Sequence, residues 1–156
     1  MLETNLRLVE LNEDIKEDYL ALKVLESQTT FVESPMTSLI DKNNHAWDID
    51  WTIECIFKDE IMIGYAMHGI ASDGIAWLDR FMIDSDYQGH GYGPIALKMI
   101  LTKMHNVYKA YKHLALSVEK HNTKAIKLYE SFGFYLTKEM DGIYPVMLLD
   151  DMKTQS

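Results

Sequence analysis

Three glycines stand at alternate positions in residues 88–93, which read Gln-Gly-His-Gly-Tyr-Gly, and Pro94 and an apolar stretch with helical spacing follow. Glycines at the start of a helix let backbone N–H groups close on an anion, and the helix dipole favours negative charge there. The spacing differs from the G-x-G-x-x-G of dinucleotide folds and from the Walker A loop, which ends in G-K-[ST]. We therefore expect a loop that holds a pyrophosphate, with a merely tight turn as the alternative.

Asp79 is a second candidate, because it lies in the apolar stretch 75–83. Alternation along a strand predicts that Trp77, Asp79 and Phe81 share one face while Arg80 points to the other. A carboxylate among apolar neighbours is costly unless it is paired. Arg80 is then not its expected partner, so Asp79 is predicted either to pair with a basic side chain elsewhere or to serve a function.

A sheet and helices must position these residues, and the hydrophobic pattern predicts both. Strands are predicted at 5–11, 51–57, 61–70, 74–84, 113–119 and 145–150. Helices are predicted at 14–27, within the irregular segment 28–50, for about four turns after the glycines, and at 122–134, where Gly133 ends the helix. This order predicts an α/β layered fold, and the length of 156 residues predicts one domain over 1–156.

The composition excludes several classes of protein. Hydrophobic residues make up 47% of the chain, which excludes a disordered protein, and the apolar runs are far shorter than the ~20 residues of a membrane span. Cys55 is the only cysteine, and the six histidines lack metal-ligand spacing, so no disulfide and no metal site are expected. The acidic N-terminal sequence lacks the features of a secretory signal, which favours the cytoplasm.

The net charge of −9 is unevenly distributed. Residues 1–60 hold 14 acidic and 5 basic residues, whereas residues 61–156 hold 10 of each. A solvated acidic surface that aids solubility is one interpretation, and a surface that attracts a cationic partner is the other. Nucleic acid is not an expected partner, because the chain has no basic stripe.

The glycine segment resembles the Q/R-x-x-G-x-G/A signature of the GCN5-related N-acetyltransferases (GNAT). The rest of the chain follows that family's pattern in order: WLDRFMID precedes the signature, LALSVE leads to Asn122, and KLYESFGF is similar to the family's Y-x-x-x-G-F ending. FVES and WLDRFMIDSDYQGHGYG also resemble bacterial spermine/spermidine acetyltransferases. The resemblance implies a mixed, mostly antiparallel sheet with helices on both faces, and a splayed pair of parallel strands, 76–84 and 113–119, at the CoA site.

The resemblance implies acetyl-CoA as the acetyl donor and assigns residues to its binding. Backbone groups of β-strand residues would pair with the pantetheine, and those of the glycine loop with the pyrophosphate. The implied contacts are Phe81, Met82, Ile83, Gln88, Gly89, His90, Gly91, Tyr92, Gly93, Asn122, Lys124 and Tyr129. Asn122 can also be a helix cap and Lys124, like Lys127, a solvated lysine, while Pro94 removes one N–H donor from the loop.

The resemblance also assigns catalytic roles. A primary alkylamine has a pKa near ~10.4, so only about one molecule in a thousand is neutral near pH 7. Asp79 would bind the amine and accept its proton, Tyr129 would protonate the leaving thiolate, and the Met82 N–H would stabilise the oxyanion. Glu33 would contact the substrate in the acidic segment that borders the acceptor site. The structural alternatives are an ion pair for Asp79, a core aromatic for Tyr129 and an ordinary loop acid for Glu33.

The resulting expectation is an acetyl-CoA-dependent N-acetyltransferase that acts on a small polycation such as spermine or spermidine. The alternatives are a GNAT enzyme for another amine, such as an aminoglycoside or a protein N-terminus, and a non-catalytic CoA-binding regulator. Asp79 and Tyr129 together favour an enzyme, because a binding protein needs neither. The sequence leaves the oligomeric state open, with a homodimer as one alternative.

Overall fold

A single sheet organises the computed structural model, which describes residues 5–23 and 34–150. Within these residues the strands are β1 (Leu6–Glu10), β2 (Thr52–Lys58), β3 (Ile61–Ile70), β4 (Ile75–Ile83), β5 (His113–Ser117), β6 (Tyr135–Asp141) and β7 (Tyr144–Leu149). They lie in the order β1-β2-β3-β4-β5-β7-β6. Neighbouring strands are antiparallel except β4 and β5, which are parallel. The predicted mixed, mostly antiparallel α/β fold is confirmed.

Helices cover both faces of the sheet. They are α1 (Lys16–Leu20), α2 (Pro35–Asn43), α3 (Tyr92–Val107) and α4 (Thr123–Ser131) in the described chain. One face carries the α3-side core, in which Leu97, Ile100, Leu101 and Met104 of α3 are fully buried against the sheet. The opposite face carries the α2-side core, whose buried residues are Tyr19, Leu22, Ile49, Trp51, Ile53, Cys55, Phe57, Met62, Tyr65, Met67 and Met82.

The predicted strands and the helices α3 and α4 are confirmed to within a few residues, but two elements differ. The strand β6 was not predicted, because nearly all of its residues are exposed on this edge strand and no apolar alternation marks it. The predicted helix 14–27 is a 3-10 turn (Glu13–Ile15) and the short α1, which ends at Leu20. Residues 24–27 lie outside the described residues.

A β-bulge interrupts β4 at Asp79. In the register with β3, Met67 lies opposite Arg80 and His68 opposite Leu78, so Asp79 is an extra residue. A bulge places two residues of one strand opposite one residue of the other. Side chains therefore change faces here: Leu78 belongs to the α3-side core, whereas Met82 belongs to the α2-side core. The faces predicted by strict alternation are wrong after this point.

The parallel strands β4 and β5 separate soon after they meet. In the described chain they pair at Ile75, Ala76 and Trp77 of β4, opposite residues 113–115. The strand β4 continues to Ile83, while β5 continues along β7 on its other edge. The second half of β4 therefore faces a gap, which is the splayed pair that the family resemblance implies.

Candidate functional site

A cleft of about 310 Å³ lies at the splayed strand ends. The end of β4, the loop before α3 and the first turns of α4 line it. Eleven of the twelve residues predicted to contact CoA, all within the described part of the chain, line this cleft: Phe81, Met82, Ile83, Gln88, Gly89, Gly91, Tyr92, Gly93, Asn122, Lys124 and Tyr129. Tyr87, Pro94, Ala125 and Leu128 also line it, although the sequence analysis assigned none of them to CoA.

The glycine loop leaves open space where side chains would stand. A Cβ atom built on Gly89, Gly91 or Gly93 would meet no atom within 4 Å. Gly89 and Gly91 have φ values of +80° and +82°, so their backbone conformations alone favour glycine. Gly93 does not have a positive φ. The backbone at Gly93 thus accepts a side chain, and the open space beside it fits a ligand that approaches the main chain.

The amide groups at the start of α3 are available to an anion. Gly91 is the N-cap of this 16-residue helix, and no side chain within the described residues caps it. Uncapped N–H groups and the helix dipole together favour a negatively charged ligand. Because the residues present fit a pyrophosphate, this end of the cleft is the part that would hold the phosphates of CoA.

Gln88 and His90 differ from the other loop residues. The Gln88 side-chain amide donates a 2.9 Å hydrogen bond to the Ile83 carbonyl and so fastens the loop to the end of β4. His90 is exposed and does not line the cleft, and its ring lies 5.9 Å from that of Tyr92. The structure therefore gives Gln88 a contact that supports the loop and places the His90 side chain at the surface.

The backbone N–H groups of β4 point alternately to β3 and to the gap left by β5, and this alternation decides which amides face the cleft. The Asp84 N–H donates a 2.7 Å hydrogen bond to the Ile63 carbonyl on β3. Successive residues of a strand direct their backbone groups to opposite neighbours, so Met82 also faces β3. Phe81 and Ile83 instead face the gap left by β5. The expectation that the Met82 N–H serves as the oxyanion donor is therefore contradicted, and Phe81 and Ile83 carry the amides directed to the cleft.

Tyr129 projects from α4 into the cleft. Its ring packs edge-to-face on Phe134, with ring centroids 5.9 Å apart. Burial raises the pKa of the Tyr129 hydroxyl to about 12, so the phenol keeps its proton near neutral pH. Nowhere in residues 5–23 and 34–150 does the structure show a hydrogen-bond partner for this hydroxyl, which is the arrangement that a proton donor to a bound ligand needs.

The other predicted residues of α4 have mixed environments. The Asn122 side chain accepts a hydrogen bond from the Ala125 N–H at 3.3 Å, so it caps α4 as well as lining the cleft. Lys124 is exposed and lines the cleft, whereas Lys127 is exposed and does not.

Cys55 lies in the α2-side core, and burial raises the pKa of its thiol to about 12, which makes it a poor nucleophile.

Asp79 does not line the cleft, and its partner corrects the sequence analysis. One Asp79 carboxylate oxygen lies 3.1 Å from Arg80 Nε. The bulge brings these neighbouring side chains together, although strict alternation predicted that Arg80 points away. The structural interpretation of Asp79 as a member of an ion pair is thus correct, and a role toward an amine stays a prediction.

Arg80 has contacts that the sequence analysis did not predict. It is buried and also reaches α2, donating to Asp41 at 2.7 Å and to the Ser38 hydroxyl at 3.2 Å. The sequence offers one sign of such a role: Arg80 stands in an apolar strand. Arginine is also rare in this chain, where only two of the fifteen basic residues are arginines. Glu33, the predicted substrate contact, lies outside the described residues.

The described residues contain neither a membrane-spanning helix nor a metal-binding cluster. None of their helices is both long enough and apolar enough to span a membrane. Among residues 5–23 and 34–150, no group of three or more His, Cys, Asp or Glu side chains is arranged to hold a metal ion.

Comparison with known proteins gives the family. The model of the acetyltransferase (GNAT) family matches residues 10–134. The chain belongs to the GNAT family. It is 31% identical, over 138 residues, to the spermine/spermidine N(1)-acetyltransferase of Bacillus subtilis (strain 168), covering 84% of this chain and 88% of that protein.

Solved GNAT structures share the fold at lower identity. The spermidine N-acetyltransferase from Vibrio cholerae, in complex with CoA and spermine, is 19% identical with a TM-score of 0.70 and 92% of each chain covered. The PaiA N-acetyltransferase from Thermoplasma acidophilum, in complex with coenzyme A, is 18% identical with a TM-score of 0.71, covering 94% of this chain and 99% of that one. These likenesses show the GNAT fold.

Proposed function

We propose that the protein transfers the acetyl group of acetyl-CoA to a primary amine of a polyamine such as spermine or spermidine. The observation that carries the proposal is the cleft at the splayed strands, where open glycine backbone, β4 amides and the Tyr129 hydroxyl meet. GNAT membership supports the acetyl transfer, and the B. subtilis relative supports the polyamine.

In this proposal, the loop and β4 bind and orient the donor. Acetyl-CoA supplies an acetyl thioester when it is bound. Backbone N–H groups at Gly91 and Gly93 hold the phosphates, and that of Ile83 pairs with the pantetheine. The Phe81 N–H is nearer to the bulge than the Ile83 N–H is. We therefore assign to Phe81 the role of stabilising the negative charge that develops on the acetyl oxygen.

Proton transfer completes the reaction. A new C–N bond forms as the C–S bond breaks, so the amine loses one proton and the sulfur gains one. Tyr129 donates the proton to the sulfur, because its phenol is protonated and faces the cleft. Asp79 receives the amine's proton, directly or through water, from the α2-side face of β4, where Arg80 holds its carboxylate.

The charge distribution supports a polycationic acceptor. The whole net negative charge lies within residues 1–60, and the α2-side core is built largely from the same residues. An extended polyamine carries several positive charges, and an acidic surface of this kind attracts it over about one Debye length, ~8–10 Å.

The direct experiment measures CoA-thiol release from acetyl-CoA with a panel of acceptors: spermine, spermidine, a short monoamine, an aminoglycoside and a peptide with a free N-terminus. We expect the highest kcat/KM for the polyamines. Preference for the aminoglycoside or the peptide would replace the polyamine with that acceptor, and tight CoA binding without turnover on any amine would indicate a regulator.

A further inference from the structure

Arg80 connects the β4 bulge to the helix α2 through contacts with three side chains. Its guanidinium contacts Asp79 in the β4 bulge at 3.1 Å, and Asp41 at 2.7 Å and Ser38 at 3.2 Å on α2. An arginine side chain offers five N–H donors in a rigid planar fork, which suits such multiple contacts better than the single ammonium of lysine.

The contacts continue into the α2-side core. The Ser38 hydroxyl lies 2.7 Å from the Tyr65 hydroxyl on β3, and both residues are buried. The Tyr19 hydroxyl donates to the Pro35 carbonyl at 2.6 Å, which fixes the first turn of α2. The helix is therefore anchored at its start by Tyr19 and along its middle by Arg80.

The anchored helix lies close to the reacting end of the cleft. Asp79 precedes Phe81 by two residues, which corresponds to roughly 7 Å along an extended strand. The Phe81 amide faces the gap between β4 and β5, while Arg80 and α2 lie on the opposite face from α3 and α4. The Asp41–Arg80 contact therefore lies on the α2 side of the sheet, opposite α3 and α4.

We infer that Arg80 is a positioning residue for the acceptor amine: it clamps α2 to the β4 bulge and holds the Asp79 carboxylate beside the cleft. The inference rests on the proposed acetyl transfer. Arg80 thus contacts one carboxylate on β4 and one on α2. Arg80 is not among the described residues that line the cleft for acetyl-CoA.

The test compares Arg80→Lys and Arg80→Met with wild type. Arg80→Met removes all three contacts, and we expect kcat/KM for the amine to fall by about 10²-fold, as for a catalytic group misplaced by about 1 Å. Arg80→Lys keeps the charge but not the fork, so it should recover part of this loss, and the fall should appear mainly in KM for the amine. The dissociation constant for CoA should change less than about twofold in both variants.

Arg7 provides the matched control, because it is the other arginine and lies on the edge strand β1, over the Phe57 ring. Arg7→Met should leave both substrates unaffected. Equal losses toward the amine and CoA in Arg80→Met, or amine kinetics that match wild type, would overturn the inference.

Hydrogen–deuterium exchange keeps the inference testable independently of the acceptor. In Arg80→Met, exchange should rise in α2 (Pro35–Asn43) and stay unchanged in α3 (Tyr92–Val107). This local loosening would support the clamp even if wild type showed no turnover with any amine, in which case the proposed function alone would fail. Unchanged exchange in α2 would overturn the clamp whatever the acceptor is.

Discussion

The Asp84 N–H donates a 2.7 Å hydrogen bond to the Ile63 carbonyl, and this bond, with the continuous β3–β4 register, shows which way the amides in the second half of β4 point. Since backbone groups alternate along a strand, the bond turns Met82 toward β3 and leaves Phe81 and Ile83 facing the cleft. The donor site therefore depends on the second half of β4, which within the described residues pairs with β3 on one edge and with no strand on the other.

A substitution at Gly93 tests ligand binding without adding backbone strain, because Gly93 is the loop glycine without a positive φ. Gly93→Ala should stabilise α3 by about 0.4–1 kcal/mol, while CoA affinity falls because the methyl group enters the space that the phosphates need. Gly93→Val should weaken binding further. Calorimetry with CoA and thermal unfolding measure the two effects.

Gly142 serves as the control, because a substitution there should affect stability but not CoA binding. It has a φ of +62° in the β6–β7 turn, and a Cβ there would also meet nothing within 4 Å. Gly142→Ala should therefore lower stability without changing CoA affinity. Unchanged CoA affinity in a folded Gly93→Val variant would contradict the assignment of the loop to the phosphates.

Tyr129→Phe keeps the aromatic ring on Phe134 and removes the phenol proton. If Tyr129 protonates the leaving sulfur, kcat should fall by roughly 10²–10⁴, the usual effect of a general acid. CoA affinity should change little, since the ring still lines the cleft. Tyr144→Phe, at an exposed position on β7, is the matched control and should keep full activity. Near-normal turnover of Tyr129→Phe would leave the residue with a packing role only.

The GNAT signature and the order of elements could be predicted from the sequence because glycine spacing and apolar periodicity are local patterns. The bulge at Asp79 could not, since no residue type in 75–83 requires an extra residue there. That bulge decides the faces of Asp79 and Arg80, and with them the partner of each. The exposed strand β6 was missed for a different reason: both of its faces are polar or mixed, so it lacks the alternation that marks a half-buried strand.

A buried carboxylate makes stability depend on pH. Glu54 is fully buried, and its Oε2 accepts from Lys103 at 2.7 Å and contacts His68 Nε2 at 3.1 Å. Burial opposes its ionisation, yet these two hydrogen bonds outweigh burial and hold the pKa of Glu54 below its ordinary value. A depressed pKa stabilises the fold above the unfolded-state pKa of about 4.3, and this stabilisation is lost as pH falls below that value.

Lys103→Met should therefore destabilise the protein at pH 7 by about 3 kcal/mol, the low end for breaking a buried ion pair, because the ammonium is partly exposed. The difference from wild type should narrow as pH falls below the unfolded-state pKa of about 4.3 and Glu54 becomes protonated. Denaturant titrations at pH 7 and at about pH 3.5 measure the free energy of unfolding of both proteins. Lys98→Met, an exposed site on the same helix, should change stability by less than about 0.5 kcal/mol; an equal effect at both lysines would argue against the buried pair.

Two carboxylates should act differently on short and long amines. Asp79→Asn should lower kcat/KM for every amine, because every acceptor must lose a proton and because the variant also weakens the contact with Arg80. Glu33→Gln should raise KM mainly for spermine and spermidine, whose additional charges lie far from the reacting nitrogen. Added salt should reproduce part of the Glu33 effect. Equal changes for a monoamine and for spermine in Glu33→Gln would exclude a distal polyamine contact.

The most direct measurement is the stoichiometry of acetyl transfer to spermidine, with released CoA thiol and acetylated product quantified in the same reaction. The proposed function predicts one acetylspermidine for each thiol, strict dependence on the amine, and loss of both products together in Tyr129→Phe. Thiol release that does not depend on the amine, or a wild-type enzyme that binds CoA and forms no acetylated polyamine, would contradict it.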